Sequence, residues 1–293
     1  MDTPTLAEQE YHRSKLLAWN PRQIDLQRDA ADWAALAPPE HDALVRFVGL
    51  FDAVQSTALR HLPALALALA RRGHPVSDLQ CLAAQVWETA RHVEWHARWL
   101  ADVGRAGGPL AVAGDDHYQA LVAQDLPTYL DLVLTDHGSV AVTRAAVTYH
   151  LVCAGVVLEP AMGELARALR AHDILPGLTY GLDLVRRDLA RHADVGSDLV
   201  ARVVAEAAAD GGPRPPHAGG DGPEAAPPID LRGMLAPPLR LAAGTLAAVF
   251  RPWGTTAPLG IDLDRMADAA RAAVGTRLAR IEAAAPAADD AAG

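Results

Sequence analysis

Cysteine is nearly missing. Only Cys81 and Cys153 occur in 293 residues, far apart and both inside apolar patterns, so neither a disulfide framework nor a thiolate metal site follows. Aromatic residues make up 5% of the chain, and Val and Ile are modest beside Ala and Leu, a balance that favours helix over strand. No alternation is long enough to predict a sheet. A basic excess is absent too: 26 Lys and Arg stand against 36 Asp and Glu, for a net charge of -10. That charge excludes the basic face which nucleic-acid binding requires. Met1 to Lys15 is polar and lacks the apolar run of a signal peptide. The apolar run Leu62–Ala70 is short and closes at Arg71-Arg72-Gly73, and no uncharged stretch reaches the length of a membrane span. The expectation is a cytoplasmic protein with no membrane span and no nucleic-acid partner. What is abundant is apolar residue, 51% of the chain, enough for a sizeable core.

The apolar residues fall at three- and four-residue steps. Pro38-Pro39-Glu40 opens a helix whose stripe Leu44, Val48, Phe51, Leu59, Leu62 and Leu65 runs from Asp42 to about Ala70. Gly73 then turns the chain left-handed. Ser77 with Gln80 has the form of a capping box for a helix reaching Val103 and Gly104. A third helical region, 116–136, is expected to break at Pro127, and a long helix from Ser139 to Ala171 to kink at Pro160. Another helix runs from Pro176 to about Ala209, and two more lie near 229–250 and 262–284. Five units follow: an N-terminal segment 1–37 of short pieces, a four-helix core 38–210, a Gly/Pro-rich linker 211–228, C-terminal helices 229–284 and a tail 285–293. Long helices joined by short turns predict an all-α bundle.

Two pentapeptides one hundred residues apart share one pattern: Glu88-Thr89-Ala90-Arg91-His92 and Asp188-Leu189-Ala190-Arg191-His192. Each places an acid and a His four apart on one face of a long helix, as two pseudo-symmetric hairpins feeding one interior would. Around them, Trp19-Asn20-Pro21, Ile24-Asp25-Leu26, Asp29 and Asp32-Trp33 come first. Phe51-Asp52-Ala53-Val54, then Val147-Thr148-Tyr149 with Gly155, and Leu175-Pro176-Gly177 follow. In this order the segments resemble the class I ribonucleotide reductase small-subunit superfamily. Within it they are closest to the ligand-binding oxidases that hold a manganese–iron pair and a long-chain fatty acid. The likeness covers about residues 16–205. It implies an all-α, ferritin-like bundle of the small-subunit type and a homodimer. It also matches Tyr149 and Val54 to a tyrosine and a valine that can become linked in that family.

The departures carry more weight. The family places a metal-binding Glu at four positions, and this chain has Phe51, Thr89, Ala154 and Leu189 there. Only His92 and His192 remain. A di-metal pair carries four or more positive charges and wants carboxylate oxygens both as ligands and as counter-charge. Buried without them it is strongly unfavourable. No cofactor is therefore expected, and the chain reads as a degenerate, non-catalytic relative. Phe51, Val54, Thr89, Tyr149, Ala154 and Leu189 would fill or line a vestigial cavity for an apolar small molecule.

Two alternatives stand beside that reading. One is an oxidoreductase with a single transition-metal ion held by Glu88, His92, Asp188 and His192. The other is a working reductase subunit, which needs an oxidant that the emptied positions do not supply. The bland reading of the acids is that each pairs with a His or an Arg. Tyr149 then reads as a buried, hydrogen-bonded phenol, Cys153 as a small core residue, and Trp95 and Trp99 as packing.

Overall fold

The structure is a computed structural model that describes residues 3–104, 112–210 and 229–284. The expected linker 211–228 and tail 285–293 lie outside the described residues.

The N-terminal segment holds α1 (Leu6–Leu16), a short 3-10 turn (Pro21–Gln23) and α2 (Gln27–Ala35). Thr5 and Glu8 form a reciprocal cap on α1, with Thr5 N–H donating to Glu8 at 2.8 Å and Glu8 N–H to Thr5 Oγ1 at 3.2 Å. Next come α3 (Pro38–His61) and α4 (Pro63–Arg71), which meet at Leu62, where Pro63 opens the new helix. Gly73 takes the expected left-handed turn, with φ 76°. Helix α5 (Val76–Trp99) begins after Pro75 with no side-chain cap, so the expected Ser77–Gln80 box does not form. Ser77 is instead buried inside the first turn. A π-helical turn (Leu100–Gly104) extends α5.

Proline is absorbed where breaks were expected. Residues 116–132 run through α6 (Asp116–Tyr118), a π segment (Gln119–Asp125) and α7 (Leu126–Leu132), with Pro127 in the first turn of α7. Likewise α8 (Ser139–Ala146) passes through a twelve-residue π segment (Val147–Leu158) into α9 (Glu159–His172), with Pro160 in its first turn. Widening the turn before each proline shifts the hydrogen-bond register, so the missing N–H and the ring fall at a helix start. The helix from Ser139 to His172 is long and apolar enough to cross a membrane, but the protein buries 89% of its most apolar window. Its apolarity is that of a core.

Helix α10 (Pro176–Asp210) lies against the π segment, α9 and α8. Asp29, 148 residues away in sequence, fixes where it starts. Its carboxylate accepts Gly177 N–H and Leu178 N–H, both at 2.7 Å, and Trp99 Nε1–H at 3.2 Å. Asp32 accepts Leu175 N–H at 2.8 Å. Two of the acids that carried the family likeness thus serve as a remote N-cap. A Cβ at Gly177 would come 2.4 Å from the Asp25 carbonyl, so only glycine permits this approach. The chain ends in α11 (Leu231–Phe250), a two-residue antiparallel pair β1 (Thr256–Ala257) and β2 (Ile261–Asp262), and α12 (Leu263–Ala284). That small hairpin was not expected from the sequence. Arg277 of α12 enters the core, reaching Glu159 at 2.7 Å and the Gly155 carbonyl at 3.4 Å.

Candidate functional site: a buried charge cluster and an apolar groove

The two pentapeptides meet where α5 and α10 face each other, and each acid grips the other helix. Glu88 Oε2 lies 2.7 Å from His192 Nε2, and Oε1 accepts Arg191 at 2.5 Å. Asp188 Oδ2 lies 3.3 Å from His92 Nε2 and accepts Arg91 at 3.2 Å and Trp19 Nε1–H at 2.9 Å. Arg191 also donates to Asp188 Oδ1 at 2.9 Å, tying the two halves together. Glu10 of α1 closes the outer side, 3.7 Å from Arg191. All six side chains of the repeat are buried: Glu88, Arg91, His92, Asp188, Arg191 and His192. The Arg91 guanidinium lies between the rings of Trp87 and Trp19. Trp95 and Trp99 are packed in the core, whereas Trp87 is half exposed.

Burial alone would raise the Asp188 carboxyl. Hydrogen bonds from His92, Trp19 and Arg191, with the nearby charge, outweigh that and hold it well below the ordinary range. Glu88 shows the same balance: burial raises it, the bond and charge of His192 lower it further, and the net shift is downward. Burial pushes His92 down, against the pull of Asp188. Two carboxylates therefore face two guanidinium groups.

The positions matched to carboxylates hold none. Phe51, Thr89, Ala154 and Leu189 are fully buried, as are Val54 and Tyr149. Phe51, Val54, Tyr149, Ala154 and Leu189 belong to one continuous core. Thr89 bonds the Gln85 carbonyl at 2.8 Å and stands 3.5 Å from the Tyr149 hydroxyl, which burial pushes well above the usual phenol range. Phe51 packs on Phe47 and His96, with ring centroids 6.3 and 6.0 Å apart. Apolar volume fills these places, and the larger open space lies elsewhere.

That space is a groove of about 490 Å³ between α11 and α12, floored by Val156 of the π segment. Leu239, Leu246, Leu263 and Val274 line it, with Arg271 among the few charged groups at its edge. Helix α11 is apolar along much of its length, yet the protein buries just 44% of its most apolar window.

No family profile matches the chain. Solved structures do. Variants of R2-like ligand-binding oxidase superpose over 94% of this chain and 93% of theirs. One carries an anaerobically reconstituted Mn/Fe cofactor, at 24% identity and TM-score 0.78. A second holds a non-activated Mn/Mn cofactor, at 24% identity and TM-score 0.79. A third holds an aerobically reconstituted Fe/Fe cofactor, at 23% identity and TM-score 0.78. The chain has the fold of the R2-like oxidases. It is the all-α, ferritin-like bundle expected of the ribonucleotide reductase small-subunit type.

The metal pair of those structures does not fit the residues of this chain. Glu88 and Asp188 are committed to Arg191, Arg91 and the two His Nε2 atoms. Among the described residues no group of three or more His, Cys, Asp or Glu is gathered to hold a metal ion. This also counts against a single ion gripped by Glu88, His92, Asp188 and His192 together. Among the described residues, His92 Nδ1, His192 Nδ1 and both ring nitrogens of His96 have no hydrogen-bond partner. The expected pairing of each acid with a His or an Arg takes Arg91 and Arg191 as its counter-charges. One feature escaped the sequence reading: His150 and His96 lie fully buried beside the pair, which one helix's periodicity does not reveal.

Proposed function

We propose that this R2-like chain is a non-catalytic member of its fold class that has exchanged a di-metal oxygen centre for an internal salt-bridge cluster, and that it binds an apolar small molecule in the groove between α11 and α12. The observation that carries the first part is the reciprocal pairing of Glu88 with Arg191 and His192, and of Asp188 with Arg91 and His92. Every carboxylate oxygen of Glu88 and Asp188 already faces a cation or a donor built into the chain. Two further dications would lie there without counter-charge, at a cost far above what two imidazoles return.

The groove supports the second part. Its volume falls in the range of small-molecule sites, and its walls are almost wholly aliphatic. Ala243 lies on one wall and is exposed to the groove's solvent side. An apolar fluorescent dye is expected to bind the wild-type chain at one site. Ala243→Trp should cut that affinity by tenfold or more while leaving the melting temperature nearly unchanged. Equal binding by both proteins would remove the groove from the account. Oxygen uptake after supply of iron(II) and manganese(II) tests the catalytic half: no uptake above that of the metals in buffer is expected.

A further inference from the structure

The groove between α11 and α12 is long, and its charge is uneven. Its α12 wall runs from Leu263 and Asp264 to Val274 and Gly275. From position 263 to position 275 a helix rises about 18 Å. Leu239, Ala243 and Leu246, at three- and four-residue steps on α11, make the other wall. A linear aliphatic chain laid along this space would be held by burial alone. Two ionisable side chains lie in the lining, Asp264 and Arg271, and they are not equivalent. Arg271 is paired with Asp268. The neighbouring arginines are committed too: Arg167 and Arg265 grip Glu164 at 2.7 and 2.9 Å, and Arg265 lies 3.7 Å from Asp262. Asp264 has no such partner among the described residues. Glu164, Asp262, Asp264 and Asp268 thus stand against Arg167, Arg265 and Arg271, which leaves one negative charge in excess. The start of α12 does not reverse that sign. Asp262 accepts Arg265 N–H at 3.0 Å and Asp264 lies in the first turn, so the helix's positive end already has two acids beside it.

We propose that the groove takes an amphiphile with one ammonium head and a linear aliphatic tail, the head at Asp264 and the tail along α12 toward Val274. This inference rests on the reading of the groove as a small-molecule site and names the class of ligand. The tail supplies the affinity, through the aliphatic walls. The head sets the preference. An ammonium at Asp264 stays hydrated, because Asp264 is exposed, and its pairing there is that of a surface ion pair, so the selectivity is a small factor. An anionic head meets an unpaired Asp264 and an Arg271 whose charge Asp268 has taken. A neutral head meets neither the gain nor the cost.

The test displaces the apolar dye from the full chain with dodecylamine, dodecanol and dodecanoate, each below its micelle-forming concentration and at neutral pH, where the amine is protonated. All three should displace the dye, dodecylamine binding about threefold more tightly than dodecanol and dodecanoate most weakly. Added salt should shrink the preference for the amine. Asp264→Asn should bring dodecylamine to the level of dodecanol and leave dodecanol unchanged. Asp268→Asn should strengthen dodecanoate, because it frees Arg271. Both substitutions replace exposed side chains, so the fold is not at stake. Equal affinities for the three, tighter binding of dodecanoate than of dodecylamine, or an amine preference that survives Asp264→Asn would each overturn this inference and leave the groove as a site. Failure of all three to displace the dye, together with equal dye binding by the wild type and Ala243→Trp, would defeat both this inference and the groove. The same failure with dye binding lost in Ala243→Trp defeats this inference alone.

Discussion

Replacing Arg191 by methionine is expected to destabilise the protein by about 3–5 kcal/mol, the cost of leaving a buried charge without its partner. Arg191 holds Glu88 at 2.5 Å and Asp188 at 2.9 Å, and both carboxylates are essentially shielded from solvent. Without it, Glu88 keeps only His192 and a distant Arg91, 3.6 Å away. For a chain of this size the melting temperature should fall by roughly 10 °C. The double variant Arg191→Met, Glu88→Gln should recover a large part of the loss, because the uncompensated anion is then gone. A double-mutant cycle measured by urea unfolding reads this coupling directly. Additive losses would show that the arginine does not neutralise the acid. The same variant carries a metal prediction: manganese(II) should raise its melting temperature while leaving that of the wild type unmoved, since only the variant has carboxylate charge to spare.

The second large effect is a steep loss of stability on mild acidification. Burial pushes His96 and His150 from 6.5 down to about 3 in the folded chain. Between those values the unfolded chain binds more protons than the folded one, so stability is full above pH 6.5 and falls as the pH drops toward 3. Each ring contributes about 1.4 kcal/mol per pH unit across that window. Glu88 and Asp188 act lower down. Their folded carboxyls titrate below their ordinary values of 4.5 and 3.8, so their stabilisation is present above those values and is lost as the pH falls further. Unfolding free energy measured from pH 7 to pH 4 should therefore decline before most carboxylates titrate. In His96→Leu the slope above pH 4.5 should be measurably shallower, because one of the rings that burial pushes down, alongside His92 and His150, is gone. An unchanged slope would place the acid sensitivity elsewhere.

How much of this was written in the sequence depends on the range of the interaction. The long helices were legible because burial of one face repeats every three or four residues, and Gly73 marked its turn by the backbone it needs. Local rules failed where tertiary contacts outbid them. Ser77 is buried rather than capping, and the prolines at 127 and 160 sit after π turns that no propensity announces. The lack of carboxylates at Phe51, Thr89, Ala154 and Leu189 was readable residue by residue, once the repeat fixed the register. The charge that the interior does carry was only half visible. The acid–Arg–His pattern named the participants, but the cross-pairing of α5 with α10 depends on contacts spanning 96 to 104 positions. Asp29 taught the same lesson, since its work as the cap of α10 has no local trace. The groove needed the structure outright, because it forms where two C-terminal helices stand apart over a residue from another segment.

Elemental analysis after exposure of the full chain to iron(II) and manganese(II), with and without oxygen, followed by desalting, tests the exchange of metals for arginines most directly. Far less than one iron or manganese per chain is expected under either condition, because no anionic oxygen near His92 and His192 is left unclaimed. Two tightly held ions per chain would contradict that account.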